Sequence, residues 1–246
     1  YVTAHRSGVG WRTVAVITAT ARTKTHCDSS LRTGVAPTLR GGSLGNTEAF
    51  TRGNLLIAAL SQRSRRHFLA SCEQVELRFA AVLCESGERI RHVYFPTESF
   101  VSLVAALDDG VRLEVGMVGN EGMLGTSVVL GVNISPQHAL VQGAGAALRM
   151  SAAAFQRHYQ QSAELRQMLN RYVYVVMRQL AQTAACTCFH QVEARLARWL
   201  LMSRDRAHCD RFDLTHEFLA YMLGVRRSGV TYMEIGERRV GKECRS

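Results

Sequence analysis

The sequence lacks the long apolar run of a membrane-spanning segment. No stretch approaches the ~18 uninterrupted apolar residues that a transmembrane helix needs. Near the N-terminus, WRTVAVITATA combines basic residues, a short apolar run and the small residues Ala19-Thr20-Ala21, which loosely imitates a signal peptide. Threonines interrupt this run, so we predict no signal peptide. The first residue is Tyr1 rather than Met, which leaves the true N-terminus open.

The sequence also lacks a disulfide framework and the reacting groups of an enzyme. Its seven cysteines are irregularly spaced, which favours reduced thiols in a cytosol over a secreted scaffold. No nucleophile, base and orienting group form a recognisable set, so we predict no enzyme activity. Cys186, Cys188 and His190 cannot all face one metal from a continuous helix, although a local break would permit it. We predict neither a metal site nor a cofactor.

The composition indicates a foldable, basic chain. Hydrophobic residues make up 47% of the 246 residues, enough to bury a core. The formal net charge is +10, which fits a polyanionic partner such as nucleic acid or an anionic membrane surface. Many basic soluble proteins have no such partner, so the charge alone does not decide the function.

The pattern along the chain changes twice. Residues 1–53 are rich in Thr, Ser, Gly and Arg without periodicity, and we predict a disordered or non-native extension. Helical spacing begins near Asn54. From Val75 to about Met150, short apolar runs alternate with Gly, Asp or Pro, which is typical of a β-barrel or β-roll. Asp108-Asp109-Gly110 between two such runs predicts a hairpin.

After Ser151, a plausible helix N-cap, the period becomes helical again. The run from Glu164 to Cys186 contains no Gly or Pro, and its apolar residues recur at three- and four-residue steps. We predict a dimer seam along this helix. The alternative is an ordinary helix packed on its own domain. The predicted seam residues are Leu165, Met168, Leu169, Tyr172, Val175, Val176 and Gln179.

The stretch LTHEFLAYMLGVRRSGVT predicts a helix-turn-helix. Gly224 can adopt positive φ at the tight turn, and Ala220 is small where two helices would cross closely. Thr215 is a suitable N-cap for the first helix. The second helix begins with Arg226 and Arg227, and arginine can donate two hydrogen bonds to a guanine edge. The alternatives are an ordinary corner between two helices and solvated surface arginines.

The order of a β-roll, a long helix and a helix-turn-helix resembles the Crp/Fnr family of bacterial transcription regulators. The resemblance covers residues 54–231. It is carried by ESGERIRHVYFPTESFVSLV, VGNEGMLG, HQVEARLARWLL and LTHEFLAYMLGVRRSGVT. It implies an α+β fold with a cyclic-nucleotide-binding-like sensor domain, a dimerisation helix and a winged helix-turn-helix. One face of the preceding helix would support the two helices of the helix-turn-helix; its residues are Val192, Leu196, Trp199 and Leu200.

The resemblance also implies partners and sites. We expect a cytoplasmic homodimer that binds a palindromic operator in double-stranded DNA and acts with RNA polymerase. The DNA-binding residues would be Thr215, His216, Arg226, Arg227, Ser228 and Thr231. The effector pocket would include Gly119, Glu121, Gly122, Gln137 and His138.

The sequence departs from the family at three places. Cyclic-AMP-binding members place an Arg-Ser pair where Gln137 and His138 stand, so the phosphate would lose its bidentate partner and we predict no cyclic AMP binding. Only Cys27 lies in the first 71 residues, which argues against an iron–sulfur sensor. The family's winged end is not evident in residues 232–246, and ERRVGKECRS is similar to a translated sequencing adapter.

The predicted organisation therefore has five parts. Residues 1–53 form the extension, 54–160 the sensor domain, 161–186 the dimerisation helix, 187–231 a truncated DNA-binding domain and 232–246 a non-native tail. We expect this chain to bind DNA more weakly than an intact family member. The alternative function is a ligand-binding sensor that acts through protein partners, with a non-functional DNA-binding domain.

Overall fold

A computed structural model of the protein describes residues 2–6, 11–16, 53–106, 112–207 and 211–225. The predicted DNA-contacting residues Arg226, Arg227, Ser228 and Thr231 lie outside this range, as does the tail 232–246.

The centre of the molecule is a β-roll made of two antiparallel sheets. Its strands are β3 (Glu73–Leu77), β4 (Val82–Cys84), β5 (His92–Pro96), β6 (Phe100–Ala106), β7 (Arg112–Val118), β8 (His138–Gly143) and β9 (Gly145–Ser151). One sheet has the order β3-β9-β5 and the other β4-β8-β6-β7. Strands β6 and β7 pair from Val101↔Val118 to Ala106↔Arg112, which confirms the predicted hairpin; its turn lies outside the described residues.

Four helices and a 3₁₀ turn pack against the roll. The helices are α1 (Leu55–Ala58), α2 (Gln62–Leu69), α3 (Ala152–Gln161) and α4 (Ala163–Phe189), and the 3₁₀ turn spans Thr126–Leu130. Ser151 caps α3, as predicted: its side chain accepts a hydrogen bond from the Ala154 N–H at 3.2 Å. The largest core cluster joins these helices to the roll and includes Ile57, Phe68, Phe95, Met123, Phe155 and Leu169.

Helix α4 runs without a break through Cys186, Thr187 and Cys188. Cys186 is buried and Cys188 exposed, so their side chains occupy different faces of the helix. Among the described residues, no group of three or more His, Cys, Asp or Glu is placed to hold a metal ion.

The last described elements are α5 (Val192–Ala207), β10 (Arg211–Leu214) and α6 (His216–Leu223). Strand β10 forms the edge of a third sheet.

The N-terminal strands of that third sheet are β1 (Val2–Arg6) and β2 (Trp11–Val16). They pair with each other, and β2 pairs with β10 from Arg211↔Val16 to Leu214↔Thr13. This corrects the prediction of a disordered extension for these two segments, while residues 17–52 lie outside the described range. The β-branched Thr13, Val14 and Val16 favour a strand, and β2 has ladders on both sides: β1 on one and β10, almost 200 residues away, on the other.

Candidate functional site

The helix-turn-helix signature begins with a capped helix and a left-handed glycine. The Thr215 hydroxyl accepts a hydrogen bond from the Phe218 N–H at 3.1 Å and caps α6. Gly224 ends the helix with φ 61° and ψ 40°, the conformation in which a side chain would cost free energy. Both features confirm the predicted turn. Of the predicted contact residues, Thr215 is exposed.

Helix α5 supports α6, as the apolar spacing predicts. Trp199 and Leu200 are buried together with Leu219, Ala220 and Leu223 in one cluster. Val192 and Leu196 are partly buried against the same cluster. The small Ala220 therefore lies in the cluster where α5 and α6 pack together.

The same cluster also contains residues of the β-roll. Phe100, Val104 and Met117, from β6 and β7, are buried with the residues of α5 and α6. The sequence pattern predicts two neighbouring domains, whereas the described chain places them around a common core.

Most of the residues predicted for the dimer seam of α4 face the β-roll, whereas a seam would need them on the outer face of the helix. Leu165, Leu169 and Tyr172 are at most 8% exposed because they pack in the core that joins the helices to the β-roll. Met168 and Val176 are partly buried against that core, and Gln179 is half-buried. Only Val175 of the predicted seam is largely exposed, at 57%. The predicted seam residues are spaced for a helix, and most of them lie on the face that packs against the β-roll.

The outer face of α4 is apolar as well. Its exposed residues fall at alternating three- and four-residue steps and are Tyr174, Met177, Ala181, Ala184 and Cys188. Tyr174 and Met177 are 61% and 62% exposed. A helix with apolar residues on two faces offers two candidate seams, and sequence spacing alone does not distinguish the buried one from the free one.

The residues predicted for the effector pocket are not brought to one place. Glu121 forms an ion pair with Arg206 of α5, 2.6 Å apart, and Gly119 lies against the same arginine. Gly122 contacts the Tyr172 hydroxyl. His138 pairs with Glu85 at the edge of the roll, next to Gln137.

A cavity of about 420 Å³ lies elsewhere in the roll, beside the 3₁₀ turn. Arg89, Arg91 and His92 line it together with Glu88 and Ser135. None of the predicted pocket residues lines this cavity. Burial is the largest influence on Cys84 at its wall and raises the pKa of that thiol. The stretch GERIRH carries arginines at alternate positions, Arg89 and Arg91, and this pair is the sequence signal for the site. In the sequence, the stretch served only as evidence for the family resemblance.

No family model and no curated protein matches the sequence. Solved structures do match the fold. The c-di-GMP-responsive regulator CLP of Xanthomonas campestris has 15% identity and a TM-score of 0.62, over 74% of this chain and 93% of CLP. A regulator of the crp/fnr family from Eubacterium rectale has 13% identity and a TM-score of 0.61, over 73% and 84%. The chain has the Crp/Fnr fold.

FixK2 of Bradyrhizobium japonicum shares the Crp/Fnr fold at 12% identity and a TM-score of 0.57, over 69% of this chain and 86% of FixK2. The predicted α+β class with a cyclic-nucleotide-binding-like roll is confirmed. Among the described residues, no helix combines the length and apolar character needed to cross a membrane.

Proposed function

We propose that this Crp/Fnr-fold protein is a sequence-specific DNA-binding transcription regulator. The observation that carries the proposal is the helix-turn-helix start, in which Thr215 caps α6 and Gly224 makes the left-handed turn. Thr215, His216, Arg226, Arg227, Ser228 and Thr231 are the proposed contact residues. The N-terminal residues of the second helix would enter the major groove, where an arginine can bind guanine with two hydrogen bonds. The net charge of +10 supports association with DNA phosphates.

We further propose that the signal binds in the cavity beside the 3₁₀ turn. Arg89, Arg91 and His92 offer donors to a small anion such as a phosphate or carboxylate, while Tyr94 and Leu124 supply apolar surface. The residues that the sequence predicts for the effector pocket do not line this cavity. They are Gly119, Glu121, Gly122, Gln137 and His138. We propose an anion other than cyclic AMP, because Gln137 and His138 stand where the family's cyclic AMP site has its Arg-Ser pair.

The test is selection of a binding sequence from a random DNA pool, with and without cell extract as a source of effector. We expect a two-fold symmetric site whose affinity falls steeply with salt. Arg227→Ala should weaken binding by about 1–3 kcal/mol and relax base preference at one position per half-site. The exposed Arg63→Ala on α2 is the matched control and should leave base preference unchanged.

The same assay separates the remaining possibilities. The double variant Arg89→Ala/Arg91→Ala should bind the selected site but lose its response to the extract; an unchanged response would place the signal elsewhere. A chain that selects no sequence under either condition is not a DNA-binding regulator. The docking of α6 on the sensor core favours, as the second candidate, a sensor that acts through protein partners.

We also propose that the protein is a homodimer, paired through the outer face of α4. Tyr174 and Met177 leave large apolar surfaces in water, and the small Ala181 and Ala184 would let two helices approach closely. RNA polymerase and a palindromic operator are the proposed partners of this dimer.

The dimer proposal predicts that Met177→Glu weakens self-association at least about tenfold, because a buried unpaired carboxylate costs more than 1.4 kcal/mol. Sedimentation equilibrium measures the dissociation constant. Gln182→Glu adds the same charge at an exposed position on the flank of α4 and should dissociate the dimer less. If Met177→Glu remains as dimeric as Gln182→Glu, the dimer uses another surface.

A further inference from the structure

Helix α6 packs directly against strand β7 of the sensor. Leu219, Met222 and Leu223 are buried in the cluster that includes Met117 of β7 and Val104 of β6. These residues of α6 are at most 4% exposed, so the first helix of the helix-turn-helix has its apolar face covered by its own sensor domain.

Polar contacts fix the position of α5 on strands β7 and β8. The Trp199 indole N–H donates to the Glu114 carboxylate at 3.2 Å, and both side chains are buried. The Gln142 amide donates to the Ser203 hydroxyl at 3.3 Å. Because these groups are buried, separating α5 from the sensor would leave them to be rehydrated or unpaired.

The turn itself rests on β7. A Cβ atom built on Gly224 would lie 3.1 Å from Leu113 Cδ1 and 3.3 Å from the Arg112 carbonyl oxygen. The Arg112 guanidinium donates to the Tyr221 hydroxyl at 2.9 Å and lies 5.5 Å from the centre of that ring. On the other side of α6, the Arg195 guanidinium donates to the Leu223 carbonyl.

This position conflicts with DNA binding. The proposed contact residues begin at Arg226, immediately after the segment that touches β7. A recognition helix must be enclosed by a major groove about 12 Å wide, whose phosphate walls pass close to the turn. A strand of the sensor in van der Waals contact with the turn would occupy part of that space.

We propose that strand β7 is an autoinhibitory clamp, which holds the turn of the helix-turn-helix against the sensor and must release it before DNA can bind. The clamp rests on the proposed DNA-binding function. It consists of Arg112 and Leu113 on the sensor side and Tyr221 and Gly224 on the reader side. Both sensor residues lie outside the proposed DNA contacts, so they can be changed without removing a contact to DNA.

The experiment follows release and DNA binding separately in the full chain. The sequence has two tryptophans, and Trp11→Phe leaves Trp199 as the only one. Trp199 is 5% exposed beside β7, so its fluorescence emission should shift to longer wavelength when α5 and α6 leave the sensor. Affinity is measured for the DNA duplex selected from the random pool.

We expect Arg112→Ala and Leu113→Ala to shift the Trp199 emission and to tighten DNA binding by about fivefold or more, the range typical of coupling between sites. Arg149→Ala is the matched control, since this arginine also lies on a sensor strand and pairs with Glu73 instead of α6. It should change neither signal. Arg112 is exposed, so its variant keeps the test valid if Leu113→Ala folds poorly.

Two results would overturn the clamp. One is a shifted emission with unchanged DNA affinity, which would mean that docking does not control binding. The other is an unchanged emission and affinity in both clamp variants. If the Trp199 emission reports release but no variant binds DNA, the proposed DNA-binding function is wrong. The packing of α6 against β7 would then have no part in controlling DNA binding.

Discussion

Replacing Gly122 with alanine should lower the free energy of unfolding by about 3 kcal/mol, because the new methyl group has no space. A Cβ atom there would lie 2.1 Å from the Tyr172 hydroxyl oxygen. That hydroxyl accepts a hydrogen bond from the Met123 N–H at 3.1 Å and donates to the Met123 carbonyl at 3.4 Å, so Tyr172 is not free to withdraw. Denaturant unfolding measures the loss.

Gly116→Ala provides the matched control for this prediction. A Cβ at Gly116 would meet Leu103 Cδ1 at 3.8 Å and Gln179 Nε2 at 3.9 Å, which are ordinary contacts. Its stability should stay within about 1 kcal/mol of the unsubstituted protein. Combining Gly122→Ala with Tyr172→Phe should recover part of the loss. If both glycine variants unfold at the same denaturant concentration, the loop and α4 are not in contact.

The second large effect is a pH dependence that Glu114→Gln should abolish. Burial is the main influence on Glu114 and raises its pKa from the ordinary 4.5 to about 7. Hydrogen bonds from Ser102 and Trp199 and the charges of Arg206 and Arg198 oppose this rise. The groups around Glu114 therefore include two cations, yet the loss of hydration outweighs them.

The direction of the pH dependence follows from the difference in bound protons between the folded and the unfolded protein. Between pH 4.5 and about 7, the folded protein holds a proton on Glu114 that the unfolded chain has released. The stabilisation from this proton is full below pH 4.5, decreases as pH rises, and is gone above about pH 7. The total change is about 3 kcal/mol at 1.36 kcal/mol per pKa unit.

Denaturant unfolding from pH 4 to 9 tests this, with Glu114→Gln as the comparison, because glutamine keeps the shape and an acceptor for Trp199. The difference between the two stability curves should grow steadily between about pH 4.5 and 7 and then stay constant. Parallel curves throughout that interval would show that Glu114 is hydrated in the folded protein.

Local chemistry made the helix-turn-helix start predictable. A threonine cap and a left-handed glycine act within a few residues, so Thr215 and Gly224 could be assigned from sequence. The β-roll was predictable for a related reason, since short apolar runs between turn formers restrict the fold class.

The features that sequence did not reveal depend on distant partners. Tyr172 and Tyr174 are equally compatible with a helical seam, and only contact with Met123 identifies Tyr172 as the inner one. The pairing of β2 with β10 joins segments almost 200 residues apart, which no local pattern indicates. Glu121 is two residues from Gly119 in a turn, and its pairing with Arg206 depends on the path of α5.

The core that α5 and α6 share with the β-roll also bears on how the chain folds. Trp199, Leu219 and Met222 find part of their apolar surroundings only when Phe100 and Met117 are already in place. The predicted domain boundary near residue 187 therefore divides the sequence, but the segments on its two sides unfold as one cooperative unit. Heating should melt both segments in a single transition, and the piece after the boundary, expressed alone, would lack the surface on which it orders.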